Sequence, residues 1–206
     1  MTNIKKLPIN ENLPEGATEL SPDELNGLIP NYISTRRYLN EFEKLNILHA
    51  MIWLSKTKHK YNDILTIDFC IKLHTKMFDK TWSWAGKFRN REINIGNIPP
   101  EQVGMRMKNA LDDAKYWIEN KIYPIDEICL RVHRVLVWIH PFPNGNGRHT
   151  RIICDELRRS FAQKAFTWGR STDNLVNANE IRKNYIDALR QADKGDFGSL
   201  MNFALN

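Results

Sequence analysis

The residues best suited to chemistry lie in one short stretch, His140-Pro141-Phe142-Pro143-Asn144-Gly145-Asn146-Gly147-Arg148-His149-Thr150-Arg151. Imidazole titrates closest to neutral pH, which makes His140 a candidate proton acceptor. Gly145, Asn146 and Gly147 can present several backbone N–H groups in one concavity, with small residues that let a ligand approach the backbone. Apolar residues resume at Ile152, Ile153 and Leu157, so the turn feeds a helix N-terminus, which favours anions through its free donors and its dipole. Arg148 and Arg151, three apart on the first turn, can close a fork on phosphate oxygens. Base, nest and cations together suit transfer of a phosphorus centre to a hydroxyl. Two common phosphate loops are excluded. The dinucleotide fingerprint needs a third glycine where Thr150 stands, and the P-loop needs Gly-Lys-Ser/Thr where the chain has Gly147-Arg148-His149.

Helical elements must position these groups. Ile128, Val132, Val135, Leu136 and Ile139 recur on one face of a helix that delivers His140, and Pro141 stops it there. Ser34 or Thr35 offers an N-cap for an earlier helix carrying Leu39, Phe42, Asn46, Ala50, Trp53 and Leu54. Asn46, a polar residue on that stripe, is expected to bond a neighbouring loop. Thr66 can cap a second helix, with Phe69, Cys70, Leu73, Met77 and Phe78 inward. Val103, Met107, Ala110, Leu111, Ala114, Trp117 and Ile118 define a third, ended by Pro124, and Asp126 is expected to cap the helix that ends at His140. After the loop, a helix runs to about Ala165. Trp168-Gly169 then turns the chain into a helix with Ile181, Tyr185, Ala188 and Leu189, and a last piece lies near Leu200 to Ala204.

Trp82-Ser83-Trp84-Ala85-Gly86 interrupts the helical pattern. Phe88, Ile93 and Ile95 alternate only in part, which fits a short hairpin and a surface loop equally. The fold class is mainly α. Residues 34–206 read as one domain, preceded by an arm, 1–33, whose Pro8, Pro14, Pro22 and Pro30 suit a segment laid over the surface with one short helical turn at Pro22 to Leu28. His74, and likewise His49, His59 and His133, read as packed core histidines, and no cluster has zinc-ligand spacing.

A length of 206 residues, 42% hydrophobic and 10% aromatic, is that of a folded globule with a substantial core. Lys and Arg number 30 against 24 Asp and Glu, a net +6 that is scattered rather than blocked, which favours a solvated surface over direct nucleic-acid binding. Cys70, Cys129 and Cys154 are odd in number and set among apolar residues, as expected of reduced thiols in a cytoplasmic protein. Lys5-Lys6 has no apolar run behind it, and no stretch is long enough for a membrane span, so cytoplasm is the expected location.

The central string resembles the signature of Fic-domain proteins, His-x-Phe-x-Asp/Glu-Gly-Asn-Gly-Arg-x-x-Arg, matched at His140, Phe142, Gly145, Asn146, Gly147, Arg148 and Arg151. The resemblance implies a Fic-type helical domain with a short β-hairpin flap before the signature loop. Gly86-Lys87-Phe88-Arg89 looks like the start of that flap, and Lys87, Phe88, Arg89, Ile93, Asn94 and Ile95 would dock a target by strand addition. It also implies AMPylation, the transfer of AMP from ATP to a Ser, Thr or Tyr hydroxyl of a protein. His140 would be the base, Gly145, Asn146, Gly147, Arg148 and Arg151 the nucleotide ligands, with Arg151 at the γ-phosphate, and Phe142 a core anchor for the loop.

Asn144 stands where most active members carry an acid that holds Mg²⁺, and an amide oxygen is a weaker ligand for a hard cation. Asparagine there also resembles Doc-type toxins, which transfer phosphate itself but usually carry Lys where this chain has Gly147; Gly147 favours nucleotidyl transfer. A catalytically weak nucleotide- or partner-binding module is the other reading, against which stand His140 and both arginines. The flanks, Trp82-x-Trp84-Ala85-Gly86-Lys87-Phe88-Arg89, Trp168-Gly169 and Ala188-Leu189-Arg190-Gln191-Ala192-Asp193, resemble the bacterial mobile mystery protein B branch. That likeness implies a toxin-like role beside a helix-turn-helix regulator or antitoxin-like inhibitor. The family's inhibitory Ser/Thr-x-x-x-Glu-Gly/Asn motif is absent. Restraint is expected from a partner, with Glu41 or Glu43 as the internal alternatives.

Overall fold

Helices in this chain begin where a side chain can take up the first unpaired N–H groups. Ser21 opens α1 (Pro22–Leu25) by exchanging bonds with Glu24, the hydroxyl accepting from Glu24 N–H and the carboxylate from Ser21 N–H. Thr35 accepts from Tyr38 N–H and starts α2 (Arg36–Ser55). A single turn, α3 (Tyr61–Ile64), precedes α4 (Ile67–Phe78), which Thr66 caps through Phe69 N–H. A 3₁₀ turn at Pro100–Gln102 leads into α5 (Val103–Glu119). Then follow α6 (Ile125–Ile139), α7 (Asn146–Ser160), α8 (Glu180–Asp193) and α9 (Gly198–Leu205). The computed structural model describes residues 13, 17–93, 95–169 and 180–206.

The centre of the fold is α6. Its Ile128, Val132, Leu136 and Ile139 are buried against α5, which contributes Val103, Met107, Leu111 and Ala114, and against α7, which contributes Ile153, Cys154 and Leu157. Each such aliphatic side chain stabilises the fold by roughly 1.5–3 kcal/mol, so the helix that ends at His140 is the best-anchored element. The pair α2 and α4 joins this core through α4, which touches α5 and α7. As expected, Asn46 joins that pair to the next loop: Nδ2 donates to Lys76 O at 3.1 Å, and Oδ1 accepts from Lys80 N–H at 2.9 Å.

Two helix ends depart from expectation. α6 begins directly after Pro124, and Asp126 does not cap it. Its carboxylate instead receives Arg158 of α7 through Nε at 2.9 Å and Nη2 at 3.2 Å. α7 stops at Ser160, short of Ala165, because Phe161 N–H closes back on Arg158 O and Ala162 turns to a φ of 58°. Residues 87–93 and 95–96 form an extended loop with no strand ladder among the described residues, and Asn94 lies outside those described. The described part of the arm packs on the domain through Leu20 and Ile33, each 2% exposed. An antiparallel bridge between Leu28 and Trp82 and a bond from Trp84 Nε1 to Glu24 O at 2.9 Å hold it to the turn after α4. The three cysteines are unpaired and buried, and no described helix is long and apolar enough to cross a membrane.

Candidate active site

His140 is the residue at which α6 ends. Its own N–H still bonds Leu136 O at 3.0 Å, but its backbone turns left-handed, φ 52° and ψ 61°, and swings the ring out of the helix. Left-handed backbone strains a residue with a Cβ, and Arg89 supplies the restraint. Buried at 2% exposure, Arg89 donates to His140 O at 2.9 Å, Ile98 O at 2.6 Å and Arg91 O at 2.7 Å. A cation at the helix C-terminus thus takes up carbonyls that α6 leaves open.

The ring lies 3.3 Å through Nδ1 from Val137 O and 2.8 Å through Nε2 from Thr18 Oγ1. A carbonyl can only accept, so Nδ1 carries the proton and Nε2 of the neutral ring accepts from the Thr18 hydroxyl. Burial is the main cause that lowers the His140 pKa to about 4. The Val137 bond opposes this, and the charges of Arg89 and Arg91 add to the lowering. At neutral pH the group is a neutral base with its free nitrogen facing a hydroxyl.

Beside it lies the loop expected to form an anion nest. Gly145 has a φ of 80°, and a Cβ there would lie 2.5 Å from the Phe78 ring, so glycine is required both by conformation and by space. The loop is clamped from below. Phe142 is fully buried and stacks on His74 at 3.7 Å between centroids, while the Asn146 side chain bonds both the N–H and the carbonyl of Phe142. His74, as expected, is a core histidine, but it also ties two loops together: Nδ1 accepts from Gly86 N–H and Nε2 bonds Asn144 O, each at 3.0 Å.

A cavity of about 130 Å³ opens over these groups, lined by Thr18, His140, Asn144 and Gly145–Arg148 with Arg151. Two cations that sequence reasoning did not single out, Arg36 of α2 and Arg182 of α8, line it as well. Burial lowers the pKa of Arg36, Arg151 and Arg182, and the guanidinium groups lower one another's further. Against them stands Glu43, buried on α2, whose Oε2 pairs with Arg148 Nη1 at 2.7 Å while Oε1 accepts from Trp82 Nε1 at 2.7 Å. Arg151 Nε is buried with no bonding partner among the described residues, and its guanidinium lies over the Tyr185 ring. So many mutually repelling cations around one small cavity call for a polyanion. Local spacing could not reveal Arg36, Arg182 or Tyr185, because α2 and α8 meet the loop only in the folded chain.

Asn144 is turned into the loop. Its Oδ1 accepts from Gly145 N–H at 2.7 Å, with Arg148 Nη2 at 3.5 Å, and Nδ2 lies 3.4 Å from Thr18 O. No group of three His, Cys, Asp or Glu side chains among the described residues is placed to hold a metal. Of the flap residues, Ile95 lines the cavity, Lys87 is exposed, Phe88 and Ile93 are half-buried, and Arg89 faces inward as described.

Residues 64–157, a little under half of the chain, match the family model described as Fic/DOC family. It is 26% identical over 174 residues to "Protein adenylyltransferase Fic" of Nematostella vectensis, covering 80% of this chain and 37% of that protein. It is 23% identical over 167 residues to the protein of the same name from Aedes aegypti, covering 78% of this chain and 31% of that one. The chain therefore spans about a third of the length of these relatives. Among solved structures, residues 134–508 of Fic-1 from C. elegans superpose with a TM-score of 0.64 at 20% identity, over 87% of this chain and 51% of that one. BepC of Bartonella tribocorum with bound AMPPNP gives 0.62 at 16% identity, over 89% and 96%.

Proposed function

We propose that the chain is a Fic-type nucleotidyltransferase that moves AMP from ATP to a Ser, Thr or Tyr hydroxyl of a protein. The observation that carries this reading is the neutral His140 nitrogen already accepting from a hydroxyl in a cavity shared with the α7 N-terminus and its arginines. The names of the relatives, protein adenylyltransferases, support it. The attacking hydroxyl oxygen bonds the α-phosphorus, the bond from that phosphorus to the oxygen bridging the β-phosphate breaks, pyrophosphate leaves, and the proton passes to His140 Nε2. Asn146 and Gly147 offer backbone donors to the phosphates, Gly145, whose N–H is held by Asn144 Oδ1, supplies the turn that lets the backbone approach them, and Arg148 and Arg151 neutralise charge that grows on the leaving group.

Mg²⁺ bound to such a nucleotide supplies charge neutralisation across its phosphates. Of the loop residues, Asn144 would contribute to it only a neutral oxygen, so the nucleotide's own oxygens would hold the ion. Lys87, Phe88, Ile93, Asn94 and Ile95 would line the backbone of the target, with Arg89 positioning the base. A place in the mobile mystery protein B branch, with a toxin-like role and a helix-turn-helix regulator or other inhibitor as partner, is the finest form of this proposal.

The test is label transfer from ATP carrying its label on the α- or the γ-phosphate. Transfer of the α-label to protein, lowered at least about 100-fold in His140→Ala while ATP still binds, is the expected result. Transfer of the γ-label alone would replace this reading with a Doc-like kinase.

A further inference from the structure

We propose that the chain carries its own acceptor: Thr18, on the arm before α1, is a modification site for the AMP that His140 helps to transfer. This rests on the adenylyl-transfer reading above and adds a substrate to it. The Thr18 hydroxyl is the group hydrogen-bonded to His140 Nε2, at 2.8 Å, and the other ring nitrogen is committed to Val137 O. Thr18 also forms part of the cavity wall with Gly145–Arg148, so one small space holds base, hydroxyl and phosphate nest.

The arm is not laid there loosely. Asn144 Nδ2 reaches the Thr18 carbonyl at 3.4 Å. Arg91, on the loop expected to dock targets, donates to Glu19 O at 2.6 Å and grips both oxygens of the Glu24 carboxylate at 3.0 and 2.9 Å. Leu20 is buried, and Ser21 and Glu24 cap α1 immediately beyond. Loop residues and an apolar anchor thus hold the arm at and immediately after the hydroxyl, which keeps a substrate segment at a reacting centre. In the step, Thr18 Oγ1 bonds the α-phosphorus of ATP, the bond to the β-bridging oxygen breaks, pyrophosphate departs, and the Thr18 proton moves to His140 Nε2. The modified arm can no longer seat its hydroxyl on the base, so the reaction also removes the segment that fills the acceptor position.

The experiment is to incubate the full chain with ATP and Mg²⁺ at several protein concentrations, map adducts by peptide mass spectrometry, and follow pyrophosphate release. Wild type, Thr18→Ser, Thr18→Val and His140→Ala are compared, with thermal melting to establish that each is folded. One adenylyl group on residue 18, formed at a rate independent of protein concentration, kept in Thr18→Ser and lost in Thr18→Val and His140→Ala, is expected. An adduct elsewhere that survives in Thr18→Val overturns the proposal. So does pyrophosphate release that needs His140 but leaves residue 18 unmodified, an outcome under which adenylyl transfer itself still stands. Absence of both adduct and pyrophosphate sinks this inference together with the function on which it rests.

Discussion

At the scale of single residues, two charge states decide what the site can do. His140 is kept neutral chiefly because burial penalises its cationic form, which brings its pKa to about 4. The proposed base is therefore available throughout the neutral range, and the acid limb of kcat/KM should fall below about pH 5, not near the ordinary histidine value of about 6.5. A profile taken from pH 8 to pH 4.5 at constant ionic strength checks this, and a drop centred near the ordinary value would contradict it. Glu43 sets the second charge state, since its carboxylate pairs with Arg148 and bonds Trp82. Glu43→Gln keeps a carbonyl for Trp82 and removes the countercharge. The free protein should lose about 1–3 kcal/mol of stability, while inorganic triphosphate binds more tightly because Arg148 is released to it. Urea unfolding and calorimetric titration read the two effects, which must have opposite signs.

At the scale of elements, the site depends on how α6 ends and α7 begins. Arg89 bonds the carbonyls of His140, Ile98 and Arg91, so Arg89→Met leaves several buried acceptors unpaired. A loss on the order of 3 kcal/mol follows, measurable by denaturant unfolding, with transfer activity falling further than stability because the left-handed His140 backbone is no longer held. Gly145→Ala strains a backbone at φ 80° and drives a methyl into the Phe78 ring. It should cost about 1–3 kcal/mol and weaken triphosphate binding in the same calorimetric assay. These local devices were largely legible in the chain: Thr35, one of the two candidates beside Ser34, and Thr66 cap their helices, and Pro141 ends α6 at His140. Asp126 was misread because a capping pattern is local while its actual partner, Arg158, lies a helix away. The arm's contact with the site was illegible for the same reason: Thr18 and His140 are 122 positions apart, and no periodicity records a contact of that separation. Arg89, given a docking role by the family resemblance, is buried against the carbonyls of His140, Ile98 and Arg91, partners that its local sequence does not announce.

At the scale of the whole molecule, the interior holds more neutral histidine than a domain of this size needs for its chemistry, and the fold must answer for it in acid. Burial is the largest cause that lowers the pKa of His74, of His133 to about 3, and of His140 and His149 to about 4. Unfolded, each would titrate near about 6.5. Above that value the rings are neutral in both states and stability is full. As pH falls, the unfolded chain takes up protons that the folded one refuses, and stability is lost until the folded pKa values are reached. Asp155 acts in the opposite sense, since burial raises its pKa to about 6. Between there and the unfolded carboxyl value it binds a proton in the folded state and cancels the loss from one histidine. The net uptake on unfolding is close to three protons near pH 5, a slope of about 4 kcal/mol per pH unit. Against a typical stability of about 5–15 kcal/mol, that slope should unfold the protein within a few units below neutrality. Urea unfolding followed by tryptophan fluorescence at pH 7, 6 and 5 gives the slope directly. His149→Gln, which keeps a donor for the Cys70 carbonyl now bonded by His149 Nε2 at 2.8 Å, should reduce it by about 1.4 kcal/mol per pH unit. Equal stability at pH 7 and pH 5 would mean that these rings are charged, or reach water, in the folded protein, and the neutral base proposed for His140 would lose its physical footing with them.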